Sequence, residues 1–384
     1  MDMNLDEILR TELARLEAAD LRRAVRVPAE KAINFASNDY LGLAMHPALI
    51  EASREATAAH GTGAGASRLV TGTSRDVLAL EEEIAAWKEK KAALVFGSGY
   101  AAALGTIPAL VGRGDTVVLD KLSHASLIDA ARLSGATVRV VPHNRTDHLD
   151  KLLGKLNRGE GRVLLVTESL FSMDGDVAPL AEWVAAKERH GAWLLVDEAH
   201  ATGLYGKSGA GLVAGAGLSG RVEIVMGTLS KALGSVGGYI AGSRTLIDWL
   251  VNRARSFIYS TALPPGVIAA SRAAIVLAQN AEGAALRDKL RVNIALFREN
   301  LPAPWESHVN GAIQPLLCGE SAAALRVAHA LRERGFLIPA IRYPTVARNS
   351  ARLRVTLSAA HETDQIRALL AALGEAKAGV TASA

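Results

Sequence analysis

The chain of 384 residues holds a single cysteine, Cys318, so it can form no intramolecular disulfide and no cysteine-based metal site. It has no run of five or six Lys or Arg. Its net charge of +4 is spread along the chain, whereas nucleic-acid binders concentrate theirs, so no nucleic-acid role is expected. It also lacks any stretch of about 18 apolar residues, so no membrane-spanning helix is expected. The opening segment, MDMNLDEILRTELARLEAADLRR, has neither the apolar core nor the cleavage site of a secretion signal. It reads as a charged amphipathic helix, and the expected location is cytoplasmic.

What remains is ordinary globular material, 49% hydrophobic and 21% charged, enough to bury a sizeable core. The length suits two domains, or one large domain with a smaller appendage. Glycine is frequent, with 35 residues, many of them in short loops where a backbone turns sharply or approaches a ligand. The mild basic excess suits small anionic ligands.

Residues 5–23 read as a helix with Leu5, Ile8, Leu9, Leu13 and Leu16 on one side. A looser stretch, NFASNDYLGLAMHP, leads into a helix over 47–60, a glycine-rich loop GTGAGASRLVTG (61–72) and a helix around 76–90. Short apolar runs then recur at Ala93–Phe96, Thr116–Leu119, Thr137–Val141, Val163–Thr167, Trp193–Asp197 and Glu223–Gly227, with Gly238–Gly242 as a seventh. Most are separated by segments long enough to return as helices, and continuous apolar runs suit strands buried on both faces. A mostly parallel, seven-stranded α/β sheet is therefore expected. Residues 244–300 look helical, with a long linking helix near 265–300. After it come a helix over 321–335, a segment IRYPT (341–345), a strand RLRVTL (352–357) and a last helix from about 362. The expected organisation is an N-terminal helix and arm (1–45), a large α/β domain (46–265), and a linking helix with a small α+β C-terminal domain (266–384).

Three motifs invite other readings. LLVDEAH (194–200) looks like the acidic strand end of an ATPase, but ATGLYGKS (201–208) has Ala201 where a phosphate loop needs its first glycine. GSGYAA (97–102) follows a strand, opens a helix and has Asp120 some 20 residues on, as in a dinucleotide fingerprint. Such a turn is a generic phosphate site, so it marks a phosphate more firmly than it marks NAD. GTGAGAS (61–67) follows a helix and is as readily a flexible loop as one that covers a substrate.

The chemistry lies elsewhere. TLSKALGSVGGYIAG (228–242) puts Lys231 in a loop of small residues after a strand. A loop lysine is usually solvated, but apolar neighbours would partly desolvate this one and make its amine nucleophilic. Thr228 and Ser230 are candidate donors to a phosphate. Asp197 ends an apolar strand, so its carboxylate would be buried and would need a positive partner, such as a protonated pyridine nitrogen. His200, His124 in KLSHASL and Ser172 in SLFSMDGD each lie just past a strand. Alone, each is more simply a satisfied loop residue. Together with the Gly99–Tyr100 turn, Asp197 and Lys231, they fall at strand ends that converge on one crevice in a parallel sheet.

At these residues the chain resembles the α-oxoamine synthases, within the fold-type I (aspartate aminotransferase-like) pyridoxal-phosphate-dependent transferases. The likeness runs along nearly the whole sequence: SNDYLGL, GTGAGASRLVTG, SHAS, FSMDGDVAPL, VDEAHATGLYG, TLSKALGSVGGY, ARSFIYSTALPP and RLRVTLSAAH. It is strongest toward the branch serving biotin synthesis. The resemblance implies pyridoxal 5'-phosphate carried on Lys231, which would also act as acid and base. It implies that Asp197 holds the pyridine nitrogen, His124 stacks on the ring, and His200 and Ser172 meet its polar edge. The amides of Gly99 and Tyr100, with Thr228, would hold the phosphate. Arg354 would bind the amino-acid carboxylate, with Arg342 and Thr345 nearby and Arg22 and Asn38 at the substrate entry. His124 would also touch the substrate. The implied partners are L-alanine and a pimeloyl thioester, on coenzyme A or a carrier protein. A homodimer is implied as well, with Ser260 and Thr261 reaching the partner's phosphate. Arg68, in the loop that would meet the acyl chain, differs from some members of that branch. A sister condensation of glycine with an acetyl thioester stays open. So do a silent pyridoxal-binding regulator and a dehydrogenase built on Gly97–Ala102 and Asp120.

Overall fold

The computed structural model describes residues 4–25, 27–156 and 161–376. Twelve strands are found among them: β1 (Ile33–Asn34), β2 (Ala92–Phe96), β3 (Thr116–Asp120), β4 (Thr137–Val141), β5 (Val163–Glu168), β6 (Trp193–Asp197), β7 (Ile224–Thr228), β8 (Gly238–Gly242), β9 (Ile313–Gly319), β10 (Phe336–Leu337), β11 (Ala340–Ile341) and β12 (Ala351–Thr356). By its contacts the chain divides into two compact units. Among the described residues, one comprises those from Asn38 to Ser172 and from Asp176 to Lys289; the other comprises those up to Ser37, Met173–Gly175, and those from Leu290 on. The junctions thus fall at 37/38 and 289/290, where the sequence reading has 45/46 and 265/266.

The larger unit is built on a seven-stranded sheet in the order β2-β8-β7-β6-β5-β3-β4. Neighbours are parallel except at β8, which runs antiparallel to both β2 and β7. The seven strands start and stop within a residue of the apolar runs. Six of them are nearly continuous in buried residues, because helices cover both faces. β4, at the sheet edge, is largely exposed. One side of the sheet packs Leu94, Phe96, Val117, Leu119, Val166 and Ile240 against the helix Gly99–Leu110 and its neighbours.

Register decides where the strands end together. Glu168 on β5 faces Asp197 on β6, Asp197 faces Met226 on β7, and Thr228 faces Gly238 at the start of β8. Gly238 in turn faces Phe96, the last residue of β2. The ends of β2, β5, β6 and β7 therefore lie along one edge, and their loops carry the polar residues named above.

The smaller unit has a three-stranded antiparallel sheet, β11-β12-β9, and a short parallel pair, β1 with β10. Helices Ser321–Glu333 and Thr363–Ala376 accompany these strands.

Two helical expectations are corrected. The N-terminal helix spans Leu5–Ala18 and stops short of residue 23. Asp20 takes a positive φ of 57°, and the amides of Leu21 and Arg22 turn back onto the carbonyl of Leu16. Its apolar stripe is exposed, with Leu5 at 67%. The long linking helix is two helices, Pro265–Gln279 and Ala281–Glu299, separated at Asn280. Asn280 is extended, and its side-chain oxygen accepts from the amide of Gly283, so it caps the second helix instead of continuing the first.

Candidate active site

One pocket in the larger unit is lined by Gly99, Tyr100, His124, Asp197, His200, Thr228 and Lys231. With Ser230, which lines it too, eight residues singled out in the sequence thus share a wall. Ser172 is buried in the loop after β5 and is not part of that lining. Arg22, Arg342, Thr345 and Arg354 belong to the smaller unit. There Arg22 pairs with Glu17, Arg342 donates to the carbonyl of Asp20, and Thr345 meets Arg23 at 3.4 Å. Arg354 is buried on β12 and donates to Thr356 Oγ1 at 3.0 Å.

The phosphate end of the pocket is a helix start. Ser98 caps the helix Gly99–Leu110, its hydroxyl accepting from the amide of Ala101 at 3.0 Å. The amide of Ala102 bonds to the carbonyl of Ser98. The amides of Gly99 and Tyr100 find no acceptor among the described residues and stand at the positive end of the helix. Across from them Thr228 Oγ1 lies 2.6 Å from Ser230 Oγ and donates to the carbonyl of Gly237. A Cβ on Gly238 would come within 2.5 Å of the Gly99 nitrogen and the Ser98 carbonyl, so only glycine lets β8 approach the helix start this closely. The side chain of Tyr100 turns away and donates to Asp129.

The other end is acidic and buried. Asp197 is 5% exposed, and one of its oxygens accepts from the amide of Ala199 at 2.9 Å. Burial pushes its carboxyl above the usual range, against the pull of the Lys231 ammonium. His124 caps the helix Ala125–Ser134, and its Nδ1 accepts from the amide of Ser126 at 3.2 Å. That bond leaves the ring proton on Nε2. Burial lowers the imidazole's pKa, so the neutral form is favoured. His200 Nδ1 lies 2.6 Å from the buried Tyr40 hydroxyl, which also donates to Asn38 Oδ1 at 3.2 Å. Asn38 is therefore linked to His200 through Tyr40.

Sequence reasoning missed Glu168. It is 3% exposed, lines the same pocket, and accepts from the amide of His124 at 2.6 Å. Burial first, and then the charge of Asp197, push its carboxyl well above the ordinary range. The available signal was an acid closing an apolar strand, which is how Asp197 was found.

Two further residues of the sequence reading are engaged by neighbours. Arg68 does not face an open loop: its guanidinium forms two parallel bonds with buried Glu81, at 2.8 and 3.0 Å. Asp120, the acid of the dinucleotide reading, is taken up by the amides of Leu122 and Asn144 and by His143.

The model of the family described as aminotransferase class I and II matches residues 30–373. The chain belongs to this family. Two relatives named 8-amino-7-oxononanoate synthase are 46% identical over 94% of this chain and 96% of their own (Geobacter sulfurreducens), and 48% over 96% and 95% (Geobacter metallireducens). Among solved structures, serine palmitoyltransferase from S. paucimobilis with bound PLP–myriocin is 30% identical, with a TM-score of 0.92 over 99% of this chain and all of that one. An 8-amino-7-oxononanoate synthase from Francisella tularensis is 28% identical, with a TM-score of 0.77 over 90% of this chain and 98% of that one. The family expected from the sequence motifs is the family found.

The pocket fits the cofactor expected from the sequence. A buried carboxylate suits a protonated ring nitrogen, and two open helix amides with a hydroxyl pair suit a phosphate. Among the described residues no group of three or more His, Cys, Asp or Glu is placed to hold a metal ion.

Proposed function

We propose that this chain is a pyridoxal-phosphate-dependent C-acyltransferase of biotin biosynthesis. It would condense L-alanine with a pimeloyl thioester to give 8-amino-7-oxononanoate, carbon dioxide and the free thiol. The observation that carries this reading is the near-full-length identity, 45–48%, to relatives bearing that name, joined to a pocket that holds Lys231, Asp197 and His124 together.

When bound, pyridoxal phosphate supplies the electron sink that makes a proton and a carboxylate at the substrate Cα removable. The protein's part is orientation and proton handling. Gly99, Tyr100, Thr228 and Ser230 hold the phosphate. Asp197 keeps the ring nitrogen protonated, and its burial strengthens that pairing. The neutral ring of His124 packs on the cofactor and presents Nε2–H. Lys231 anchors the cofactor and moves the proton at Cα. The Tyr40 hydroxyl fixes the ring of His200 toward the cofactor's polar edge. Arg354 takes the amino-acid carboxylate, with Arg342, Thr345, Arg22 and Asn38 near the substrate entry. The same reading carries a homodimer, with Ser260 and Thr261 contributed to the partner's phosphate site, and a cytoplasmic location. Among the described residues no helix is long and apolar enough to cross a membrane.

The test is thiol release by the pyridoxal-phosphate-loaded protein, with L-alanine plus pimeloyl-CoA against glycine plus acetyl-CoA. Faster release with the first pair is expected. Faster release with the second would move the protein to a sister condensation. Release with neither would sink the reading.

A further inference from the structure

His143 lies outside the pocket, and nothing in the chemistry above uses it. Both of its ring nitrogens nevertheless face carboxylates at hydrogen-bond distance. Nδ1 is 2.8 Å from Asp120 Oδ1, and Nε2 is 2.8 Å from Asp176 Oδ2. A neutral imidazole has one N–H, so donating to both requires the protonated ring. The two carboxylates outweigh the burial that opposes the charge, and the pKa rises to about 10.

Each carboxylate organises a loop: that of Asp120 carries His124, which lines the pocket, and that of Asp176 carries Ser172, in the loop that begins at pocket-lining Glu168. Asp120, whose side chain is fully buried, closes β3 and accepts from the amides of Leu122 and Asn144 at 2.8 and 2.9 Å. The Leu122 bond shapes the turn that delivers His124 two residues later. Asp176 closes the loop after β5. Its Oδ2 also accepts from Asn144 Nδ2 at 2.7 Å, and its carbonyl accepts from the amide of Phe171 at 3.0 Å. The His143 and Phe171 rings meet edge to face, with centroids 4.4 Å apart. Ser172 is the next residue. Three loops, after β3, β4 and β5, are thus joined at one imidazole.

We propose that His143 is a positioning residue of the reaction: by donating to Asp120 and Asp176 at once, it fixes the loops that present His124 and Ser172 to the reaction centre. This rests on the pyridoxal-phosphate reading of the pocket. A glutamine at 143 fills similar space but donates from one nitrogen only. It lets one loop relax, and a displacement of about 1 Å at a reacting group costs up to a hundredfold in rate.

The test uses the pyridoxal-phosphate-loaded H143Q protein, with D176N as a second variant that keeps the shape of the cluster but weakens the clamp. Three quantities are read: kcat and KM for thiol release with L-alanine and pimeloyl-CoA, the visible circular dichroism of the bound cofactor, and the thermal unfolding midpoint. The expected result is a folded H143Q whose kcat falls roughly ten- to hundredfold with KM little changed, and whose visible dichroism is altered because the ring packed by His124 has shifted. In an H124N background, the further loss from H143Q should shrink to about threefold or less, because the two residues act as one unit. A folded H143Q with kcat and dichroism within about twofold of the parent would overturn the proposal, as would full additivity with H124N. If H143Q does not fold, the same criteria apply to D176N; if neither folds, the cluster serves the fold alone and the proposal is overturned. A parent protein that releases no thiol would sink the functional reading instead, which separates the two failures.

Discussion

Glu168 and Asp197 sit side by side across the β5–β6 pairing, both buried, with Glu168 Oε1 holding the amide of His124 at 2.6 Å. Two adjacent buried carboxyls do not both ionise near neutrality. Asp197 has the Lys231 ammonium in its favour and the amide of Ala199 on one oxygen. Burial first, and then the charge of Asp197, push the Glu168 carboxyl well above the ordinary range, and the proton of the pair is assigned to Glu168.

Glu168→Gln should therefore be mild at neutral pH, because the amide imitates the protonated acid and still accepts from His124. Turnover should stay within about threefold of the parent. A loss of a hundredfold would show that Glu168 acts as an anion. The sign of the pH effect follows from linkage. The folded pKa of Glu168 lies above its unfolded value, so its contribution is fully present below the unfolded pKa and is lost as pH rises through the folded one. The variant lacks that loss. Its unfolding midpoint should gain on the parent's between pH 5 and pH 8, and a constant difference across that window would refute the assignment.

Lys231→Ala should abolish turnover, since no other amine lines the pocket among the described residues. Clear turnover above background would sink the chemistry proposed for it. Asp197→Asn should leave cofactor binding largely intact and lower kcat on the order of a hundredfold or more, because the charge that stabilises the protonated ring nitrogen is gone. A titration of cofactor binding beside steady-state kinetics separates the two effects.

Much of this was legible in the sequence, for identifiable reasons. Strands buried on both faces leave continuous apolar runs, so their ends were found within a residue; Asp197, Lys231 and Thr228 were placed by those ends. The direction of β8 was not legible, because Gly-Tyr-Ile-Ala-Gly reads the same in a parallel or an antiparallel ladder. Nor were contacts between distant residues: Tyr40 reaches His200 across 160 residues, and His143 reaches Asp176 across 33. Asn280 was overlooked as a break because the residues on both sides of it keep helical character.

Lys88 tests how the large unit is held beneath the site. Its ammonium is fully buried and bonds to Glu198 Oε2 at 3.0 Å, Thr202 Oγ1 at 2.9 Å and the carbonyl of Ala210. Glu198 follows Asp197 directly, and its other oxygen accepts from the amide of Val213. Lys88→Met would leave a buried carboxylate without its cation and should cost about 3–5 kcal/mol in urea unfolding. Adding Glu198→Gln should recover part of that loss, because the stranded charge goes with it. No recovery would mean that Lys88 stabilises mainly through Thr202 and Ala210.

Gly238 tests the phosphate end by shape alone. It pairs with Thr228 on one side and Phe96 on the other, at the point where β8 passes the start of the helix Gly99–Leu110. A methyl group there would sit 2.5 Å from the Gly99 nitrogen, and backbone atoms cannot swing aside as a side-chain tip can. In Gly238→Ala the helix start must move off the sheet, taking the open amides of Gly99 and Tyr100 with it. Pyridoxal-phosphate affinity should fall by about 1–2 kcal/mol, roughly five- to thirtyfold, in a fluorescence titration. A control, Gly217→Ala, has no heavy atom within 4 Å of the added methyl and should leave cofactor affinity unchanged, although its φ of +67° costs some stability. If Gly238→Ala bound the cofactor as tightly as the parent, these amides would not be what holds the phosphate.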